Sequence, residues 1–139
     1  MTKEISTTDE NFTTFVKDIK NKIFSSQYEA LKEVNKELIN LYWEIGKNIV
    51  EKQELFGWGK SVVQNLSSEL QKEFVGMKGF SERNLWNMRN FYIEYKDNIK
   101  LQTLSAQIGW SHNVAVFHKC KDELEREFYI KMVIKFGWT

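Results

Sequence analysis

Apolar side chains recur at every third or fourth position along most of this chain, the spacing of one face of an α-helix. The first such stripe predicts a helix over residues 8–25. Ser26 follows and stands three residues before Glu29, the spacing of a capping box, so a longer helix is predicted over residues 26–53. No alternating run is long enough to predict a strand. The first stripe consists of Phe12, Phe15, Val16, Ile19 and Ile23.

Glycine pairs divide the rest of the chain, because glycine adopts backbone angles that turns require. Gly57 and Gly59 predict a turn before a helix that begins near Lys60. Gly76 and Gly79 predict the end of that helix and the turn after it.

Hydroxyl and carboxylate side chains predict where the later helices begin. Ser81 is predicted to be the N-cap of a helix over residues 82–95. Ser111 is predicted to cap a helix that ends near residue 120. Asp122 and the glutamate three residues later predict a capping box for the last helix, which should end at Gly137.

These patterns together predict an all-α fold of about seven helices in a single domain over residues 1–139. The length is sufficient to bury a core, and the absence of proline favours uninterrupted helices. The predicted parts are a flexible segment at residues 1–10, a long helix at 26–53, a helix-turn-helix-like unit at 60–95 and C-terminal helices at 104–136.

Composition restricts the classes of function. The formal net charge is +1, so any surface that binds nucleic acid must be local. A lone cysteine, Cys120, excludes an internal disulfide and is typical of a reducing compartment. No signal-like segment and no apolar run of roughly 18 residues is present, so the sequence predicts a cytoplasmic protein without a membrane partner.

The unit at residues 60–95 has the outline of a helix-turn-helix, in which the start of the second helix enters the major groove of DNA. Arginine can bind guanine, asparagine can bind adenine at two atoms, and lysine can neutralise phosphate. The alternative to a binding role is that these polar side chains are exposed only because every amphipathic helix has a polar face. The predicted nucleic-acid-binding residues are Lys60, Lys78, Ser81, Arg83, Asn84, Asn87 and Asn90.

Other chemistry has little support in the sequence. Residues 104–120 form a second, weaker helix-turn-helix outline, with His112, Asn113 and Lys119 at positions expected to be exposed. His118 and Cys120 are two residues apart, so on a helix they point to different sides and do not predict a metal site. Residues 94–96 match part of a nuclease motif but fall on a predicted helix. No catalytic residue, metal or cofactor is therefore predicted.

Several strings of residues are distinctive. They are residues 40–47 (NLYWEIGK), 57–60 (GWGK), 66–67 (LS), 76–85 (GMKGFSERNL), 88–89 (MR), 91–92 (FY), 109–112 (GWSH), 121–122 (KD), 126–129 (REFY) and 137–138 (GW). In this order they resemble the N-terminal domain of the bacterial YhcG-type PDDEXK nuclease family, over roughly residues 31–139. The resemblance implies a domain that binds DNA or partners and is normally followed by a nuclease domain, which this chain does not include.

Two hypotheses for the function follow. The first is a non-catalytic DNA-binding module that targets a C-terminal nuclease domain or a nuclease partner. The alternative is a protein-protein interaction or dimerisation domain with no nucleic-acid affinity. In that case the long helix at residues 26–53, with Trp43, Trp58 or Trp86, would form a homo-oligomer or another contact.

Overall fold

The computed structural model describes residues 10–137, which form six α-helices and no strand. The prediction of an all-α fold is therefore confirmed. Residues 1–9, in which most of the predicted flexible segment falls, and residues 138–139 lie outside the described part. The helices are α1 (Glu10–Phe56), α2 (Ser61–Glu73), α3 (Glu82–Tyr95), α4 (Ile99–Ser105), α5 (Trp110–Lys119) and α6 (Glu123–Phe136).

Helix α1 replaces the first two predicted helices, so the described helices number six instead of about seven. It runs without a break for 47 residues, and the predicted start at Ser26 is wrong. A capping box acts only where the backbone leaves the helix, and residues 10–45 contain neither glycine nor proline to interrupt the helix near Ser26. Serine inside a helix costs only about 0.5 kcal/mol, so the spacing from Ser26 to Glu29 remains unused.

Most later boundaries agree with the sequence pattern, and two predicted caps do not. α3 covers the predicted residues 82–95, and Gly137 ends α6 in the left-handed conformation with a φ of 60°. α5 begins after Gly109 instead of Ser111. Asp122 is the N-cap of α6, but its side chain accepts no capping hydrogen bond, so the predicted box is not formed.

The chain divides into two compact units, one that ends at Val34 and one that begins at Asn35. The prediction of a single domain remains a prediction. The first unit contains, among its described residues, only the start of α1, up to Val34. The second contains the rest of α1 and the other five helices, and all of the buried core residues belong to it.

Helix α3 lies at the centre of the second unit and packs against α2, α4 and α5. It also crosses α1 at Gly46, where the two backbones are in contact. A Cβ atom at Gly46 would overlap the Met88 carbonyl group and would lie 3.2 Å from the Arg89 nitrogen. Only glycine permits this approach.

An aromatic cluster surrounds the crossing. Trp43 of α1 packs edge-on against Phe91 of α3, with ring centroids 5.4 Å apart. Trp110 of α5 contacts Phe91 at 5.5 Å and Tyr42 at 4.9 Å. Phe91 is almost fully buried, so these rings tie α1, α3 and α5 into one core.

A buried arginine joins the C-terminal helices to α3. Arg126 of α6 donates from Nε to the Cys120 carbonyl oxygen (2.8 Å) and from Nη2 to the Phe117 carbonyl oxygen (3.3 Å). Its Nη1 atom lies 3.0 Å from Oε2 of Glu94. The guanidinium thus satisfies carbonyl groups at the end of α5 that the helix itself leaves unpaired.

Among the described residues, no helix is long and apolar enough to cross a membrane.

We expect Gly46→Ala to lower the free energy of unfolding by about 2 kcal/mol, because the new methyl group would force α1 and α3 apart. Alanine otherwise favours a helix by up to about 1 kcal/mol, so a loss of stability would identify the close crossing as its cause. Urea unfolding monitored by tryptophan fluorescence measures the change. Gly59→Ala is the control, since nothing lies within 4 Å of its added Cβ. A stabilised Gly46→Ala variant would contradict the crossing.

A second prediction concerns alkaline pH. Burial raises the pKa of Tyr95 to about 12, against a lowering effect of Arg126. In the unfolded chain the phenol of Tyr95 ionises near pH 10. The buried neutral phenol therefore contributes its full stabilisation of the fold below about pH 10, and this stabilisation is lost as the pH rises toward 12. The loss should reach about 3 kcal/mol in urea unfolding curves.

Tyr95→Phe should remove most of this loss. A smaller loss of stability at alkaline pH should remain in this variant, because burial also raises the pKa of Tyr42. Tyr129→Phe removes an exposed ring hydroxyl and should leave the loss unchanged. Equal pH profiles for the Tyr95 and Tyr129 variants would show that the buried phenol is not responsible.

Candidate nucleic-acid interface

The start of α3 is held in place by polar contacts from α2. The Ser67 hydroxyl, buried in α2, donates to the Phe80 carbonyl oxygen at 2.7 Å. Gln71, one turn later, donates from Nε2 to Ser67 Oγ (2.8 Å) and to the same carbonyl (3.3 Å). Phe80 immediately precedes the N-cap of α3. The connection at residues 74–81 is longer than the roughly 3–4-residue turn of a compact helix-turn-helix, yet its end is clamped to α2.

The N-cap itself agrees with the sequence prediction. Ser81 has an extended backbone, and its hydroxyl accepts a hydrogen bond from the Asn84 backbone nitrogen at 3.1 Å. Gly79, two residues earlier, has a φ of 107°, and a Cβ there would overlap the Tyr42 hydroxyl. The chain therefore enters α3 against α1 in a conformation that favours glycine.

Asn84 connects the first turn of α3 to α5. Its Nδ2 donates to the Gly79 carbonyl oxygen (2.7 Å), and its Oδ1 accepts from the Trp110 indole nitrogen (2.7 Å). One amide thus bonds two parts of the fold. Asn84 was predicted to contact nucleic acid, and this remains a prediction, but its side chain already has a structural role.

The outward face of α3 borders an open depression of about 570 Å³, lined by Glu82, Arg83, Trp86, Asn87 and His118. Arg83 is exposed, whereas Trp86 and Asn87 are half-buried. His118 comes from the end of α5, and its Nε2 lies 2.9 Å from Asn87 Oδ1. Arginine, asparagine, histidine and an indole ring can all contact bases or phosphates.

Trp86 is supported from its own helix. The Arg89 guanidinium lies over the Trp86 ring, 5.3 Å from its centroid. Arg89 also donates from Nε to Oε1 of Gln53 in α1 at 2.7 Å. The arginine thus orients the indole and places a positive charge beside it.

Charge along the outward face of α3 is uneven. Arg83 lies near the N-terminal end, which also carries the positive end of the helix dipole. Glu94 lies at the C-terminal end, where it pairs with Arg126. The carboxylate of Glu82 in the same depression offsets the charge of Arg83, so the helix dipole is the main feature that favours a polyanion at the N-terminal half of the face.

The structure brings some of the predicted site residues together and separates others. Arg83 and Asn87 line the same depression. Asn90 is half-buried one turn further along α3, and Lys78 is exposed in the connection before α3. Lys60 is the exposed N-cap of α2, at the other end of that helix from the connection.

Sequence reasoning missed the residues that support this face, and it misplaced Asn113. His118 is 31 positions from Asn87, and no local pattern indicates such a contact. Asn113 was expected to be exposed but is fully buried and donates to the Ser105 carbonyl oxygen at 2.9 Å. Apolar spacing cannot reveal this, because the amide is held inside by the bonds of its nitrogen to backbone carbonyl oxygens, although its own oxygen has no partner among the described residues.

The metal candidates are not assembled into a site. Cys120 is buried, and burial is the largest cause that raises the pKa of its thiol. A hydrogen bond with Glu125 raises this pKa further. Within residues 10–137, no group of three or more His, Cys, Asp or Glu side chains is arranged to hold a metal ion.

Comparison with known proteins identifies the family. The model of the DUF1016 N-terminal domain matches residues 18–139. The chain belongs to the DUF1016 N-terminal domain family. The resemblance seen in the sequence strings is thereby confirmed.

The DUF1016 domain is also similar to a protein of Escherichia coli (strain K12) named "Putative nuclease YhcG". The two are 31% identical over 88 residues, which cover 60% of this chain and 23% of that protein. The chain thus matches about a quarter of the length of this relative. No solved structure matches the chain.

We expect Asn84→Ala to destabilise the DUF1016 domain by about 2 kcal/mol, because it leaves the Trp110 nitrogen and the Gly79 carbonyl without their partner. Urea unfolding gives the value. Asn90→Ala removes an amide from the same helix and should cost less than about 1 kcal/mol. Equal losses in the two variants would contradict the connecting role of Asn84.

Proposed function

We propose that this domain is a non-catalytic DNA-binding module that targets a nuclease domain or nuclease partner to its substrate. The observation that carries the proposal is that Arg83 and Asn87 line the same depression on the outward face of α3, whose start is held by hydrogen bonds from α2. A recognition surface on a rigid element loses little conformational entropy when it binds.

In the proposed complex, the first two turns of α3 enter the major groove. Arg83 binds the acceptor edge of guanine, and Asn87 pairs with adenine. Lys60 and Lys78 contact phosphates, and Ser81 and Asn90 extend the polar surface at either end. Trp86 lies beside this surface and can stack on an unpaired base.

The bond between His118 and Asn87 limits what Asn87 can do. Adenine recognition uses both the oxygen and the nitrogen of the amide, and His118 already engages the oxygen. In the proposed complex Asn87 therefore leaves His118, or it binds a base acceptor through its nitrogen alone. Replacing His118 should thus alter base preference more than total affinity.

The charge of the domain sets the expected salt dependence. Lys60, Lys78 and Arg83 are the cationic side chains assigned to the complex, and the formal net charge of the whole chain is only +1. Each phosphate contact contributes about −0.9 to the slope of log affinity against log salt, so the two lysine contacts to phosphate should give a slope of about −2. The proposed binding is weaker and less salt-dependent than that of a strongly basic protein.

The connection to a nuclease comes from the name of the Escherichia coli relative, of which this domain matches only a part. We accordingly place the cleavage chemistry in another domain or chain. The side chains discussed above are assigned recognition roles alone.

Fluorescence anisotropy with labelled duplex and single-stranded DNA tests the proposal. Arg83→Ala combined with Asn87→Ala should weaken binding at least tenfold, since each base contact contributes about 1–3 kcal/mol. Thermal unfolding should be nearly unchanged, because Arg83 is exposed and Asn87 is half-buried.

The matched control is Lys36→Ala combined with Asn40→Ala. It removes the same charge and an amide at the same spacing from exposed positions of α1. A parent chain that binds neither form of DNA at low salt would refute the proposal. Equal affinity of both double variants would move the interface away from α3.

A protein-binding role is the second candidate, and an apolar groove favours it. The groove has a volume of about 300 Å³ between α1 and α2, and its lining includes Ile45, Ile49, Trp58, Val62 and Leu66. Trp58 is 49% exposed and stacks on the exposed Phe56 ring, so the groove continues into an exposed apolar patch. Absence of DNA binding together with a partner that protects Trp58 from quenchers would favour this role.

A further inference from the structure

A long apolar surface lies on the first unit. The helical residues 12–34 carry large apolar side chains that are about half exposed. Among the described residues of this unit there is no second helix to cover them. The exposed members on one side of the helix are Phe15 (59%), Ile19 (40%), Ile23 (51%) and Val34 (62%).

At the centre of this side, the residues from Phe12 to Ala30 have the spacing of a helix-helix seam. The apolar residues follow one another at intervals of four, three and four: Phe12, Val16, Ile19 and Ile23. The seam therefore has two alternating positions, each of which recurs every seven residues, as in a coiled coil. The β-branched Val16 and Ile23 recur at one of the two seam positions, as in two-stranded coiled coils. The small residues Ser26 and Ala30 continue the seam and would allow close approach.

The charges of the segment favour a partner of the same kind. Residues 10–34 contain four lysines and four carboxylates, so the segment has no net charge. Two copies would therefore meet without net repulsion, whereas a strongly charged partner would gain little. We propose that a second copy of this chain covers the stripe, so that two chains pair through residues 12–34.

The area available decides how strong the pairing can be. Each half-exposed large side chain offers on the order of 100 Å² and each partly buried one about half of that. The four exposed residues together with the partly buried Phe12 and Val16 therefore give about 500 Å² per chain and about 1,000 Å² per pair. This is near the lower limit for a specific interface. The dimer should therefore form reversibly, with a dissociation constant on the order of micromolar.

Sedimentation equilibrium of the full chain from about 1 to about 500 µM tests the pairing. The parent should change from the monomer mass to twice that mass as concentration rises. Ile19→Glu combined with Ile23→Glu should weaken association at least 100-fold, because each pair would bury four unpaired carboxylates. Asn21→Glu combined with Ser25→Glu adds the same charges at the same spacing on the other side of the helix and should still dimerise.

Each outcome decides the inference. A parent chain that stays monomeric throughout the range would overturn it and leave the stripe to a different protein. A dimer that survives both glutamate variants would overturn it too, by placing the contact elsewhere. Trp43, Trp58, Trp86 and Trp110 belong to the second unit, so unchanged thermal melting by tryptophan fluorescence verifies that this unit folds in the variants. Unchanged helicity by circular dichroism verifies the helix of the first unit. The inference does not depend on DNA binding, which anisotropy measures separately.

Discussion

The backbone contact between α1 and α3 at Gly46 is the constraint on which the second unit depends. Without a side chain at this position, the Met88 carbonyl group lies directly against α1. The approach brings Trp43 against Phe91 and leaves α3 central, with other helices packed around it. Close packing of this kind tolerates little change in volume, so the position of α3 is well determined.

Polar contacts then determine which side chains of α3 remain available to a ligand. Ser67 and Gln71 bind the carbonyl before the N-cap, and Asn84 bonds the connection to α5. These groups are satisfied inside the fold, where an unmade hydrogen bond would cost about 1–3 kcal/mol. Arg83 and Asn87 face outward from a helix start that is already ordered, which is the arrangement a recognition surface needs.

The two surfaces described here have different physical characters. The face of α3 is polar and small, and its few cationic groups limit the affinity it can reach alone. The stripe at residues 12–34 is apolar, and the helical segment at residues 10–34 that carries it has no net charge.

The sequence by itself determined the features that depend on near neighbours. The all-α class, the cap at Ser81 and the left-handed end at Gly137 follow from residues within a turn of one another. Even so, Ser26 shows that a local signal is not used when the surrounding chain favours a continuous helix. Only the tertiary structure decided that Asn84 is structural while Asn87 meets His118, because those partners are 26 and 31 residues away. Spacing assigns a residue to a face of its own helix, whereas packing decides what that face meets.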